Sequence, residues 1–255
     1  MVLRYCPDAG DSGRYRVNRL RVIQDGATLP VQTLPQSWCP APELLKKLQR
    51  FVDALQHFPL IRLMEDFLNT DHLIKPFIQL PASCQSHHSE PAGLLRHSLD
   101  CAQRMWGFLH SDEHTDREIA AVAAFLHDIG KLRTHRPDGK LQRAGLLVDH
   151  RHYTLEILQP FLQGLDQVDE DTANLLRYIW TWNPADQQSP RQHLVTIVHV
   201  ADRYSAMQGA AEREFRHAEP WKQCVTTQGP GPKRRFWRRL PCQQRSPSGL
   251  IRRGP

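Results

Sequence analysis

The stretch AAFLHDIGK, residues 123–131, places His127 and Asp128 side by side after a run of small and apolar residues. A neutral imidazole and a carboxylate are common ligands of divalent metal ions in hydrolytic sites. Adjacent residues on a helix point about 100° apart, so both side chains can touch one ion only where the helix ends. The pair therefore predicts part of a metal site and requires further ligands from other elements.

Two residues elsewhere in the chain are suited to complete such a site. His97 lies on the polar edge of the apolar segment GLLRHSLDCA, and Asp202 lies among apolar residues in TIVHVADRYSA. A carboxylate in apolar surroundings is costly unless a cation or a hydrogen-bond donor accompanies it. The four residues predict a divalent ion site, and N and O ligands admit Mn, Fe, Mg, Ni, Co or Zn without choosing among them. Such an ion would polarise a phosphoryl oxygen and lower the pKa of bound water.

Three further histidines have two interpretations each. His150, in LLVDHRH, is either an additional metal ligand or a surface residue. His87 and His88, in CQSHHSEPAG, either face a phosphate or a metal ion or belong to a polar loop without a site. The residue types alone leave both pairs of interpretations open.

Lys131 and His199 also have two interpretations. Lys131 either contacts a phosphate as a point charge, in a catalytic role beside Asp128, or is a cation favoured by the dipole at a helix C-terminus. His199 precedes Asp202 by three residues and so shares its helix face. It either orients that carboxylate or packs between helices.

Helices are the elements that must bring these residues together. From Pro42 onward, apolar residues recur at helical spacing, and no segment alternates over several strands, so the predicted fold class is all-α. Gly130 is expected to end the helix that carries His127, and RPDGK predicts a turn within residues 132–149. The predicted helices cover about 42–58, 61–69, 71–80, 91–109, 116–131, 150–163, 169–182 and 190–216.

Composition divides the chain into three regions. Residues 1–40 form an irregular, proline-rich segment in which VNRLRVI could be a short strand, and residues 41–219 form the helical domain. Residues 220–255 hold nine Lys or Arg and no Asp or Glu; without them 24 basic residues face 27 acidic ones, so the rest of the chain has a net charge of −3. The tail is rich in Pro, Gly, Ser and Arg and is predicted to be disordered. Its KRRFWRR stretch is either a DNA-binding arm or a solvated terminus.

Cysteine spacing and hydropathy exclude several protein classes. The six cysteines form no CxxC pair, so neither a zinc knuckle nor a disulfide framework is predicted. The chain lacks a run of about 18 apolar residues, which a membrane span requires. Its first 21 residues have no apolar core of the kind found in signal peptides. We therefore expect a cytoplasmic protein without a membrane partner.

The order of the four candidate ligands resembles a known pattern. His97, then His127 and Asp128, then Asp202 are similar to the H…HD…D motif of the HD-domain metal-dependent phosphohydrolases, and HDIGK resembles a typical form of its central part. The spacing over the 105 positions from His97 to Asp202 is more specific than a lone HD pair. This resemblance implies an HD-domain helical bundle that hydrolyses phosphoesters with a divalent ion on these residues.

A second resemblance concerns residues 81–102, PASCQSHHSEPAGLLRHSLDCA. They are similar to a segment of the HD domain of TraI-type conjugative relaxase and putative helicase proteins of the MobH group, and more distantly to YhaM-type 3′–5′ exonucleases. Those proteins carry two histidines before a GGLL-H run, and Ala92 replaces the first glycine here. The similarity covers about residues 40–218. It implies DNA transfer by a plasmid or mobile element, with DNA and other conjugation proteins as partners.

One departure from the family leaves two functions open. Many two-metal HD enzymes add an adjacent pair of histidines before the last aspartate, whereas WTWNPADQQ, residues 180–188, has none. A single ion, or a second ion bound by fewer ligands, therefore fits better than a complete two-ion site. The first hypothesis is a metal-dependent phosphohydrolase acting on nucleic-acid phosphodiesters. The second is a non-catalytic DNA-processing accessory of the relaxosome type, in which the helical domain is a scaffold and the tail recruits DNA.

Overall fold

The computed structural model describes residues 2–7, 15–21, 31–83, 88–109, 114–183, 185, 189–227 and 233–240, with side chains from residue 31 onward except residue 32. Within these ranges the fold is mostly helical, which confirms the predicted all-α class. Short 3₁₀ turns span Val31–Thr33, Gln36–Trp38 and Ala144–Leu146. The helices are α1 (Glu43–Asp53), α2 (Phe58–Leu68), α3 (Asp71–Gln79), α4 (Gly93–Phe108), α5 (His114–Leu126), α6 (Lys131–Thr134), α7 (His150–Asp166), α8 (Glu170–Thr181) and α9 (His193–Phe215).

Helix α5 lies at the centre of the bundle and packs against α2, α4, α8 and α9. Every residue from Glu118 to Leu126 is buried, because a helix that is apolar on all sides must be enclosed by other elements. The ring of Phe125 contacts three further phenylalanine rings, at centroid distances of 5.0 to 6.4 Å. This central helix delivers His127 and Asp128 from within the core rather than from a mobile loop.

The buried carboxylate of Glu118 ties α5 to the start of α2. Its Oε2 accepts hydrogen bonds from the backbone N–H groups of Gln56 and His57, both at 2.8 Å. These groups flank the N-terminus of α2, where a helix leaves N–H donors without internal partners. The contact satisfies them and explains why an acidic side chain is tolerated in the core.

The end of α5 differs from the prediction. The helix ends at Leu126, residues 127–130 form a turn, and α6 begins at Lys131, whereas the sequence predicted one helix to about residue 131. Gly130 does not terminate it in a left-handed conformation, because its φ is −58°. The glycine serves close packing instead: a Cβ there would lie 1.8 Å from the carbonyl oxygen of His150. This contact fixes the His127 turn against the start of α7.

Ala92, directly before α4, has the left-handed conformation, with φ of 62°. That region favours glycine, because a Cβ there crowds the following carbonyl. This is a physical reason for the glycine that the resembling proteins carry at this position. Downstream, the predicted RPDGK turn is confirmed by the backbone bond from Arg136 to Lys140 and by the positive φ of Gly139.

The N-terminal segment and the segment after residue 220 each contain a pair of strands. The sequence predicted at most one strand in the first segment and none in the second. Strand β1 (Val2–Pro7) pairs antiparallel with β2 (Tyr15–Arg21), so the N-terminal segment is not wholly irregular. The expected disorder after residue 220 is wrong for a second antiparallel pair, β3 (Cys224–Thr226) and β4 (Arg235–Trp237). Both strands contact α9. Residues 241–255 of the predicted tail lie outside the described residues.

The side chain of Arg238 holds this small β3–β4 sheet in place. Its guanidinium lies over the ring of Phe215, 4.4 Å from the centroid, and donates to backbone carbonyls in the segment 219–222. These contacts bring in residues distant along the chain, so local composition gave no sign of them. In the part of the chain that the structure describes, no helix has the length and apolar character needed to cross a lipid bilayer.

Candidate metal centre

Three elements deliver four donor groups to one point. His97 comes from α4, His127 and Asp128 from the turn after α5, and Asp202 from α9. Nε2 of His97 lies 3.1 Å from Oδ1 of Asp202, 3.3 Å from Nε2 of His127 and 3.5 Å from Oδ2 of Asp128. Nε2 of His127 lies 3.4 Å from the same Asp128 oxygen and 3.7 Å from Oδ1 of Asp202. These separations suit ligands of one ion, whose bonds to N and O are about 2.0–2.2 Å long.

Hydrogen bonds behind the two imidazoles aim their Nε2 atoms at each other. Nδ1 of His127 donates to the carbonyl oxygen of Ala124 at 2.7 Å. In the neutral ring this leaves the lone pair of Nε2 directed towards the donor cluster. Nδ1 of His97 lies 3.0 Å from the hydroxyl of Ser205, which fixes the second ring in the same manner. Both rings are therefore oriented as metal ligands need to be.

The two carboxylates make the centre electrostatically suited to a cation. Burial lowers the pKa of His127, but the charges of Asp128 and Asp202 outweigh it and raise that pKa to about 9. Burial raises the pKa of Asp202, but its hydrogen bonds with His127 and His97 hold that pKa well below its usual range. In the metal-free protein the protonated His127 therefore supplies the positive charge. Two imidazoles and two carboxylates are a donor set that fits a divalent ion.

Asp128 is held from two sides. Its Oδ2 accepts from Nζ of Lys131 at 2.6 Å, and its Oδ1 lies 2.9 Å from Nε2 of His150. Burial raises the pKa of Asp128, but the charges of Lys131 and His127, together with the contact to His150, bring it well below its usual range. The carboxylate is thus ionised and oriented. His150 borders the centre through Asp128, and its role as a metal ligand stays a prediction.

The position of Lys131 excludes one of its two interpretations. A cation at a helix C-terminus is wrong, because α5 ends at Leu126 and Lys131 opens the next helix. Its side chain is only 11% exposed and its ammonium is committed to Asp128. Contact of Lys131 with a phosphate stays a prediction.

A comparison with known families agrees with this geometry. Residues 94–207, from the start of α4 into α9, match the family model of the HD domain. This segment is therefore similar to the HD domain family. HD domains are typically metal-dependent phosphohydrolases, and the match includes all four clustered donors. No curated protein and no solved structure matches the chain, so the kinship with TraI-type proteins stays a prediction.

Of the two histidines that precede the matched segment, the structure describes only His88, which lies beside His97. His87 lies outside the described residues. The ring of His88 packs 5.6 Å from that of His97 between centroids, and its Nε2 lies 3.4 Å from Oγ of Ser205. His88 therefore lies on the Nδ1 side of His97, away from the nitrogen that faces the other donors.

His199 and Ser205, both on α9, complete the surroundings of the candidate metal centre. The ring of His199 packs edge-on against Trp182, with centroids 4.9 Å apart, as the helix-packing interpretation predicted. Ser205 had no place in the sequence prediction. Its only signal was its spacing of three residues from Asp202, which places both on one helix face.

Replacing Ser205 with alanine is expected to weaken Zn²⁺ binding by roughly 10–100-fold, because His97 loses the partner that fixes its ring. Isothermal titration calorimetry on the metal-stripped protein measures this affinity. Ser98→Ala is the matched control: Ser98 is equally buried beside His97, but its hydroxyl has no hydrogen-bond partner among the described residues. Equal affinities of the two variants would contradict an orienting role for Ser205.

Zn²⁺ affinity is expected to rise at least about tenfold per pH unit between pH 6 and 8, because each proton released on metal binding contributes a factor of about ten. With its pKa near 9, His127 is protonated throughout this range and must release that proton before Nε2 can bind an ion. Lower pH therefore favours the proton and higher pH favours the metal. Calorimetry in buffers of different ionisation enthalpy counts the released protons, and an affinity independent of pH would contradict the prediction.

Proposed function

We propose that this HD domain is a metal-dependent phosphohydrolase in which His97, His127, Asp128 and Asp202 hold one divalent ion. The observation that carries the proposal is the convergence of four donor atoms from three separate elements, with separations of 3.1 to 3.7 Å. A single polar residue in a core is ordinarily just hydrogen-bonded. Two carboxylates that both lie within 3.7 Å of the same pair of imidazoles, however, favour a cation bound among these four side chains.

The exposure of the ligands supports a direction of substrate approach. His97 is fully buried, whereas 40% of the Asp202 side chain is exposed. The centre is therefore closed behind His97 and open beside Asp202, and a phosphate group would enter from that side. A divalent ion bound there supplies a polarised phosphoryl oxygen and a water molecule of lowered pKa. Lys131 and His150 keep Asp128 ionised and in place.

The proposed substrate is a nucleic-acid phosphodiester. The support is the basic segment 221–240, which packs through its two strands on α9, the helix that carries Asp202. Its side chains of Lys222, Lys233, Arg234, Arg235 and Arg239 are exposed. Trp221 and Trp237 are 63% and 67% exposed, and such rings can stack on unpaired bases. Positive charge and stacking surfaces together favour single-stranded nucleic acid.

The proposed cellular context is conjugative DNA transfer. Its support is the likeness of residues 81–102 to the corresponding segment of TraI-type relaxase proteins, in which an HD domain belongs to a larger DNA-processing protein. Other conjugation proteins would then be partners of this chain. The proposal for the chemistry does not depend on this context.

The second candidate function is a non-catalytic DNA-processing accessory. It is favoured by the same basic segment and by the absence of an adjacent histidine pair in residues 180–188. Deleting residues 220–255 distinguishes the two. If the protein is an accessory, the truncated form is expected to lose DNA affinity, and neither form hydrolyses a phosphodiester. If it is a phosphohydrolase, the truncated form is expected still to cleave a small phosphodiester.

The experiment that tests the proposed function starts from metal-stripped protein. Hydrolysis of bis(p-nitrophenyl) phosphate is measured after adding Mn, Fe, Mg, Ni, Co or Zn in turn, and again after adding a chelator. Hydrolysis is expected only with a bound ion, because no residue of the centre alone generates hydroxide at neutral pH. Absence of hydrolysis with all six ions, in protein that binds them, would leave the accessory function as the better conclusion.

A further inference from the structure

Cys101 is a fully buried residue on α4, one helical turn after His97. Its Sγ lies 3.8 Å from Nδ1 and 3.9 Å from Nε2 of the His97 ring. One ligand atom from each of His97, Cys101, His127 and Asp202 can be chosen so that all four lie within 4.8 Å of one another. The thiol of Cys101 therefore lies next to His97, His127 and Asp202, three of the four proposed metal ligands.

The ordinary role of a buried cysteine is that of a small apolar side chain. Cys101 does belong to the hydrophobic core, but its sulfur also lies beside the ring nitrogens of His97 and within 4.8 Å of ligand atoms of His127 and Asp202. With Cys101 the ion would have five protein donors. Sulfur and nitrogen ligands of one ion, with bonds of about 2.3 and 2.0 Å and an angle of about 110° between them, lie about 3.5 Å apart. The separation of 3.9 Å between Sγ and Nε2 of His97 is within a few tenths of an ångström of that value.

We propose that Cys101 is a sulfur donor to the ion of this centre and thereby selects borderline ions such as Zn²⁺, Co²⁺ or Fe²⁺ over Mg²⁺. The inference rests on the metal centre of the proposed function. On binding, the Sγ–H bond breaks, the proton leaves to solvent and the sulfur electron pair binds the ion, so no electron is transferred. Thiolate ligands favour Zn and related ions, whereas Mg²⁺ and Mn²⁺ favour oxygen donors.

The sequence carried a signal for this donor that motif reasoning did not use. Cys101 follows His97 by four residues, and residues four apart lie on one face of a helix. A helix that aims His97 at an ion therefore places the thiol beside it. Cys39 offers a contrast, because it is also buried but donates to the backbone carbonyl of Ala41 at 3.1 Å, away from the donor cluster.

Cobalt absorption tests the inference directly. The full chain, stripped of metal, is titrated with Co²⁺, and the near-ultraviolet thiolate-to-cobalt charge-transfer band is recorded together with the visible bands of the bound ion. The wild-type protein is expected to show the charge-transfer band at one Co²⁺ per chain. Cys101→Ser should bind Co²⁺ without it, whereas Cys39→Ser should keep it. In competition titrations Cys101→Ser should lower Zn²⁺ affinity at least ~10-fold and leave Mg²⁺ affinity unchanged.

The outcomes separate this inference from the proposed function. If wild-type protein binds one Co²⁺ that His127→Ala removes, but shows no charge-transfer band, the sulfur donor is wrong and the metal centre stands. If the protein binds no Co²⁺, both are wrong. A band that persists in Cys101→Ser also overturns the inference, since another cysteine would then be its source. Cys101→Ala is a second variant with the same expected loss of the band, so poor folding of Cys101→Ser does not prevent the test.

Discussion

Replacing Asp128 with alanine is expected to remove the bound divalent ion and to lower phosphodiester hydrolysis by more than about 100-fold. Residues that only orient a ligand already contribute roughly 10–100-fold, and Asp128 is proposed as a ligand itself. Its removal would also leave the ammonium of Lys131, now 2.6 Å from the carboxylate, as an unpaired positive charge beside the centre. That charge would repel a metal ion. Mass-spectrometric metal analysis and initial rates with bis(p-nitrophenyl) phosphate measure the two effects.

The matched control for Asp128→Ala is Asp138→Ala, which removes an exposed carboxylate from the turn that follows α6. Circular dichroism and thermal unfolding establish that each variant is folded. Because ligands of one ion act as a unit, the double variant His127→Ala, Asp128→Ala should hydrolyse no more slowly than either single variant. Full metal content together with an unchanged rate in Asp128→Ala would contradict the ligand assignment.

Replacing Gly130 with alanine is expected to lower the free energy of unfolding by about 3 kcal/mol, near the upper end of what overpacking costs. The added methyl would meet backbone atoms only: the carbonyl oxygen of His150 at 1.8 Å, its carbon at 2.8 Å and the amide nitrogen of Thr154 at 2.8 Å. No side chain can rotate away, so the start of α7 must shift. Thr154 Oγ1 donates to the carbonyl of His127 at 3.0 Å, so the shift would also disturb the metal centre. Equilibrium urea denaturation measures the loss of stability.

Two glycines that lie within helices provide the controls for Gly130→Ala. A Cβ on Gly107 in α4 or on Gly164 in α7 would meet nothing within 4 Å. Alanine there is expected to stabilise the protein by about 0.5–1 kcal/mol, because glycine in a helix has more conformational freedom to lose on folding. If Gly130→Ala were as stable as these variants, the close packing of the His127 turn against α7 would be wrong.

Helical periodicity predicted most of the fold but misplaced the end of α5. Apolar spacing located all the described helices except the short α6, with ends correct to within about five residues, because each helix buries one apolar face or is wholly enclosed. Ile129 continues the apolar spacing beyond Leu126, so the pattern predicted a helix where the structure has a turn. The turn is imposed by the approach of the His150 backbone to Gly130, a tertiary contact without a local sequence signal.

The sequence predicted only those residues of the candidate site that are rarely buried in a protein core. His97, His127, Asp128 and Asp202 are costly to bury, and their order pointed to a shared cation before any distance was known. Ser205 and Cys101 are residues that cores tolerate readily, so only their contacts with His97 reveal a role. For the same reason, the strand pair after residue 220 was missed. The guanidinium of Arg238 lies over the ring of Phe215 in α9, and local residue propensity does not predict such a long-range contact.

The most direct test of the metal centre is anomalous X-ray scattering from crystals of the full chain grown with Zn²⁺. We expect one anomalous peak between α4, α5 and α9, about 2.0–2.2 Å from Nε2 of His97 and Nε2 of His127 and from one oxygen each of Asp128 and Asp202, with Sγ of Cys101 at about 2.3 Å if the sulfur donor is right. A crystal that contains Zn²⁺ elsewhere but has only water among these four side chains would contradict the proposed centre and, with it, the hydrolytic function.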